Sequence, residues 1–260
     1  MKSLKGLIET LESKAEVDGV FLTGSHGLGL AHANSDIDLI VILKENTQNI
    51  RSVFEMIDDT FADIFFFDTR ELTDIIRYEK ANGSSSNGML LSWLQKGDIK
   101  FDKSGLLKQL KAKLPEIKLI ISEHEKTVFL DKISYNLLAN KRYFSSTDPI
   151  YKEALEVRLM YSIPDLFVGF LVLRDQPWRG EKDAIKFVKE NDPKFYELFL
   201  EYQKTTDLER KMSLYSRMAE KAISKGMKPF DYRKPVCLSK GDNTPEEVAK
   251  LQNFWDQITR

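Results

Sequence analysis

Two aspartates at spacing two, Asp36 and Asp38, stand at the mouth of the apolar run Leu39-Ile40-Val41-Ile42-Leu43. In an extended strand, residues i and i+2 point to one face, so these carboxylates project side by side while Ile37 turns into a core. Carboxylates held together repel one another, and protonation or a cation relieves the cost. Mg²⁺ suits such a pair, because it takes oxygen ligands and is held by one or two carboxylates together with substrate phosphates. Just upstream runs Gly24-Ser25-His26-Gly27, a glycine-rich turn. Its backbone N–H groups can approach phosphate oxygens, with the Ser25 hydroxyl as a further donor. A third acid, Asp63, lies inside the apolar run 61–67, where an unpartnered carboxylate is costly to bury. A neighbouring strand bearing Asp36 and Asp38 would supply the reason, since all three could share two ions. Ions about 3.5–4 Å apart stabilise both the attacking and the leaving oxygen of an in-line displacement. The chemistry indicated is phosphoryl or nucleotidyl transfer.

The elements that must position these residues can be read from periodicity. Residues 3–17 carry Leu4, Leu7, Ile8, Leu11 and Ala15 at helical spacing. Val20–Leu22 and 37–43 read as strands, 46–57 as a helix capped near Asn46, and 61–67 as a third strand. A helix over 70–80, capped by Asp68, leads to the small polar run 81–88, a helix to Gly97 and a strand at 98–102. Strands alternating with helices place this part in the mixed α/β class. Beyond residue 105 the pattern is helical, over 106–113, 117–145, 150–174, 181–190 and 194–223, with breaks at Pro149, Pro164, Pro177 and Pro193. A last helix starts near Pro245, capped by Asn243 or Thr244. The expected division is therefore residues 1–105 and 106–260.

Composition bounds the rest. With 42% hydrophobic and 30% charged residues, the 260-residue chain has the make-up of a folded protein. No apolar run reaches the length of a membrane span, and the first residues do not form a secretory signal. A single cysteine, Cys237, excludes an internal disulfide, so a reducing cytoplasm is the expected setting. Residues 1–104 hold 17 acidic and 11 basic side chains, and the remainder 23 and 28. An acidic metal-binding part facing a basic part would suit a nucleoside triphosphate, although both sets also read as solvated surface. A net charge of −1 lacks the positive excess expected of a phosphate-backbone binder.

Gly24-Ser25, then Asp36-Ile37-Asp38 twelve residues on, then the later strand carboxylate Asp63, together resemble the polymerase-beta-like nucleotidyltransferase superfamily. The resemblance spans residues 18–68, more weakly 97–102, and the helical part is similar to the extra domain of aminoglycoside nucleotidyltransferases. It implies an α+β fold: an N-terminal mixed sheet with flanking helices, then an all-helical C-terminal domain. Asp36 and Asp38 would bind both Mg²⁺ ions, and Asp63 would bind the catalytic one and help activate an acceptor hydroxyl. The donor would be ATP or another nucleoside triphosphate. The acceptor would be a small molecule, with aminoglycosides first. Protein- or tRNA-directed transfer and a non-catalytic nucleotide-binding module are the alternatives.

Glu79 is a further candidate, as an acceptor-side base of the kind aminoglycoside nucleotidyltransferases use, against the plainer reading of a solvated helix glutamate. Arg179 and Lys182, at a Pro-Trp-Gly-rich loop feeding a helix, resemble the helix start where such enzymes meet the triphosphate; a structural role competes equally. His26 reads as a solvent-exposed loop residue and Trp178 as core. Phe61 to Phe67 and the set Tyr151, Tyr161, Phe167 and Phe170 also read as core. Acceptor identity, base preference and oligomeric state are not encoded in any pattern we recognise.

Overall fold

Helix α1 (Leu4–Ser13) begins where the Ser3 hydroxyl accepts the Gly6 N–H, which satisfies one of the otherwise unpaired donors of its first turn. The computed structural model describes residues 3–27, 29, 35–223, 227–229, 235–238 and 244–259, and the chain divides into two compact units, Met1–Ile120 and Ile121–Arg260. The expected boundary at 105 falls too early. Helix α5 (Leu106–Lys113) buries Leu107 and Leu110 in the same core as Phe21, Ile40 and Leu72, and so belongs to the first unit.

In the first unit, α1 leads into β1 (Val17–Thr23), the single turn α2 (Gly24–Gly27) and β2 (Ile37–Leu43). There follow β3 (Ser52–Ile57), β4 (Thr60–Asp68), α3 (Thr69–Tyr78), β5 (Lys80–Asn82), α4 (Ser86–Lys96) and β6 (Asp98–Asp102) before α5, then β7 (Lys118–Ile120). Five strands form a mixed sheet in the order β3-β4-β2-β1-β6, with β2 and β4 parallel and the other pairs antiparallel. Each face is covered. Leu7, Leu39, Val41, Ala62 and Ile64 share one core, while Phe21, Ile40, Ile42, Phe67 and the buried leucines of α3, α4 and α5 form the other. Asp68 caps α3 as expected, through a capping box in which its carboxylate accepts the Glu71 N–H and Glu71 accepts the Asp68 N–H.

Two further expectations for this unit are corrected. The segment 46–57 is not a helix. Its apolar positions 53 and 57 fit both periods, and pairing with β4 decides the outcome. The hairpin turns on Asp58 and Asp59, both at positive φ (49° and 60°), the geometry a two-residue turn needs to match strand twist. Glycine adopts that conformation without a Cβ penalty, so Asp59→Gly is expected to stabilise the protein by about 0.5–1 kcal/mol, read as a higher denaturation midpoint. Asp58 should be kept, because its carboxylate accepts the Leu4 N–H at 2.9 Å. Strands also occur where none was expected: β5 and β7 form a short parallel pair.

The second unit contains α6 (Glu123–Ser145), α7 (Pro149–Val172), α8 (Glu181–Asn191), α9 (Pro193–Lys204), α10 (Leu208–Ala222) and α11 (Pro245–Thr259). Pro164 does not break α7. Ile163, Leu166 and Phe167 around it are buried in the helical core, and that burial outweighs the lost backbone bond. The expected helix over 194–223 is two, because Asp207 caps α10 by accepting the Arg210 N–H. Phe167 and Phe170 are core, but Tyr151 and Tyr161 are exposed. Trp178 packs against the core as expected. Thr244 caps α11, its hydroxyl accepting the Glu247 N–H; Asn243 lies outside the described residues. No described helix is long and apolar enough to cross a membrane.

Candidate active site

The parallel pairing of β2 with β4 puts Asp38 directly opposite Asp63, and Ile37 opposite Ala62. Alternation then sends Ile37, Leu39, Ala62 and Ile64 into the core beneath α1, and leaves Asp38 and Asp63 together on the other face. Asp36, two residues before Asp38, joins them. One carboxylate oxygen from each lies within 4.8 Å of the other two. Asp36 is exposed, whereas Asp38 and Asp63 are half-buried.

Within this cluster Asp63 Oδ1 is buried and has no hydrogen-bond partner, an arrangement that costs free energy unless something else meets that oxygen. Burial raises the Asp63 pKa, and the charge of Asp36 raises it further. A carboxyl with a folded pKa above its unfolded one stabilises the fold at low pH, and that contribution is lost as pH rises through the folded value. A cation bound among the three oxygens reverses the preference. The donor set, three carboxylates with one oxygen left unmet, fits a hard divalent ion such as Mg²⁺.

Gly24 sits against the cluster from the β1 side. It has φ +61°, and a Cβ there would lie 2.1 Å from Asp38 Oδ2, so only glycine allows the turn and the carboxylate to come this close. Ser25 and His26 follow in α2. His26 is not the solvated loop residue expected, since its Nε2 is buried and unpartnered. His32 lies outside the described residues.

Within the first unit, Glu79 does not join the three aspartates. Glu79 ends α3 in a left-handed conformation (φ 51°), and its Oε1 accepts from Lys113 Nζ at 3.1 Å. Arg179 and Lys182 belong to the second unit, beside and within the first turn of α8. Arg179 Nη1 donates to the Trp178 carbonyl at 3.0 Å, and burial lowers its pKa; Lys182 is exposed. The thiol of Cys237 is 3.5 Å from Gln252 Oε1. One neighbour of the cluster escaped the sequence reading altogether. Phe54 of β3 stands directly opposite Asp63, and the signal for it was the paired runs 52–57 and 60–68 around two turn-forming aspartates.

Residues 4–84 match the family model described as nucleotidyltransferase domain. The first unit is thus similar to nucleotidyltransferase domains. The match runs from α1 into the loop after β5, and so includes Gly24, Ser25 and all three clustered aspartates. Among solved structures, the chain is similar to a nucleotidyltransferase-like protein from Exiguobacterium sibiricum 255-15, at 13% identity and a TM-score of 0.49 over 85% of this chain and 73% of that one. No curated protein matches the sequence.

Proposed function

We propose that this chain is a metal-dependent nucleotidyltransferase that moves a nucleoside monophosphate from ATP, or another nucleoside triphosphate, to a hydroxyl of a small molecule. The observation that carries the reading is the convergence of Asp36, Asp38 and Asp63, with one buried Asp63 oxygen unmet. Asp36 and Asp38 would hold two Mg²⁺ ions, and Asp63 one of them, beside the acceptor hydroxyl. Bound there, the ions supply charge stabilisation for the entering and leaving oxygens. The Gly24–Ser25 turn holds the outgoing phosphates. The acceptor oxygen bonds to the α-phosphorus, the bond from that phosphorus to the β-phosphate bridging oxygen breaks, and pyrophosphate leaves with the electron pair. The hydroxyl proton departs on the Asp63 side. Retention of all three carboxylates argues against a module that has lost catalysis.

The test uses α-labelled ATP with Mg²⁺ and a panel of aminoglycosides, lincosamides, tRNA and cell lysate. The expected result is label on a small molecule with pyrophosphate release, abolished by chelation. Label found only on polypeptide or RNA would replace the acceptor class, and absence of metal-dependent ATP consumption would remove the mechanism. Metal binding has a readout of its own. At a hundredfold excess over Kd, Mg²⁺ should stabilise the first unit by about 2.7 kcal/mol, and Asp63→Asn should cut most of that gain.

A further inference from the structure

In-line displacement sets the attacking and leaving oxygens on opposite sides of phosphorus. The strand order β3-β4-β2-β1 then divides the surroundings of the three aspartates. Gly24 and Ser25 follow β1, Gly24 pressing on Asp38 from one flank, and β4 and β3 make the other. If pyrophosphate leaves at the glycine turn, the acceptor approaches across β4 and β3, past Asp63. This step rests on the function proposed above.

The side chains that share the face of Asp63 on that flank are apolar and open. Phe54 lies directly across from Asp63, and Met56 across from Phe61; the three are 60%, 59% and 50% exposed in that order. The sequence placed Phe61 in the core, yet its ring stacks on Phe54 at the surface, centroids 6.2 Å apart and 8° from parallel. One pleat further along β4, about 6.6–6.8 Å from residue 63 at strand rise, Phe65 opens a cleft of about 520 Å³, within the span of sites for drug-sized molecules. Trp93 packs against Phe65 with centroids 4.9 Å apart and the rings tilted by 30°, and Met89 of α4 lines the cleft with them. Asn46, Asn49, Ser84 and Ser86 make the rest of that lining partly polar, and an open apolar patch on the same strand face marks a binding surface.

Charge narrows what the surface can take. Arg51 and Glu71 are the charged side chains of the cleft lining, and the Glu71 carboxylate is committed to the Asp68 N–H at 2.9 Å. Among the described residues of its lining, the cleft does not present the several free carboxylates that a polycation requires. The acidic excess of residues 1–104 disfavours a nucleic-acid acceptor. We infer that Phe54, Phe61, Phe65 and Trp93 form the acceptor site, and that the acceptor is a hydroxylated small molecule of low net charge with a flat apolar portion, as in an aryl glycoside, rather than a polycationic aminoglycoside.

The experiment titrates the full chain calorimetrically with 4-nitrophenyl glycosides, a lincosamide and a polycationic aminoglycoside, and measures label transfer with the same compounds. Phe54→Ala removes an exposed side chain and should leave the fold intact; Met89→Trp fills the cleft. The low-charge ring compounds should bind, and each variant should weaken them about tenfold, as expected for loss of an aromatic anchor or its pocket. The acceptor KM should rise in parallel, with the KM for ATP moving less than twofold. Tightest binding by the aminoglycoside, failure of the ring compounds to bind, or indifference to both variants would overturn the inference. Variant-sensitive binding without metal-dependent transfer would support the site and sink the transferase reading instead.

Discussion

Asp38→Asn should lower nucleotidyl transfer by about 10³-fold, at the upper end of losses seen when one group stabilising transition-state charge is removed, while the protein stays folded. Asp38 stands between Asp63, its partner in the β2–β4 register, and the Gly24 turn. It is therefore the carboxylate that every part of the proposed reaction shares. The amide keeps the size and one acceptor oxygen but removes the negative charge that holds a cation. Stability should move little in the metal-free protein, because the substitution also relieves like-charge repulsion within the cluster. The gain in stability on adding Mg²⁺ should fall with activity. Rates from purified variant and wild type, with unfolding curves at several Mg²⁺ concentrations, check both halves. A rate within tenfold of wild type would exclude a metal mechanism centred on this cluster.

The candidate-site end of the sheet was legible because its chemistry is local. Asp36 and Asp38 declare their common face by spacing alone, and Asp63 is conspicuous as an acid between Ala62 and Ile64. Spacing does not encode which strands become neighbours. The pairing of Asp38 with Asp63 depends on a parallel contact that excludes β1 from β4. The surroundings were less legible, for the same reason. Val53 and Ile57 are four apart and fit a helix as well as a strand, and Asp58-Asp59 lacks the glycine that signals a tight hairpin. With β3 misassigned, Phe54 could not be placed across from Asp63, and Phe61 looked buried merely because its neighbours are apolar. Similarly, Pro164 signals a break by local chemistry, whereas the burial of Ile163, Leu166 and Phe167 that holds α7 together is a property of the assembled helices.

Gly24→Ala offers the sharpest separation of geometry from chemistry, since it leaves every carboxylate in place. A Cβ at residue 24 would lie 2.1 Å from Asp38 Oδ2, closer than atoms can approach, and φ +61° is itself unfavourable for alanine. The left-handed conformation alone costs about 1–2 kcal/mol. The contact must in addition drive either the turn or the Asp38 carboxylate from its position. We expect turnover to fall by about 10²-fold or more, the scale of a misplaced reacting group, with weaker stabilisation by Mg²⁺. Gly29 supplies the control. It has φ +67°, yet among the described residues a Cβ there meets nothing within 4 Å. Gly29→Ala should therefore carry a similar backbone penalty in unfolding experiments while turnover stays within a few-fold of wild type. Equal loss of activity in both variants would mean that backbone strain in the turn, and not the approach of residue 24 to Asp38, governs the site. The close contact between the glycine and the Asp38 carboxylate would then be incidental.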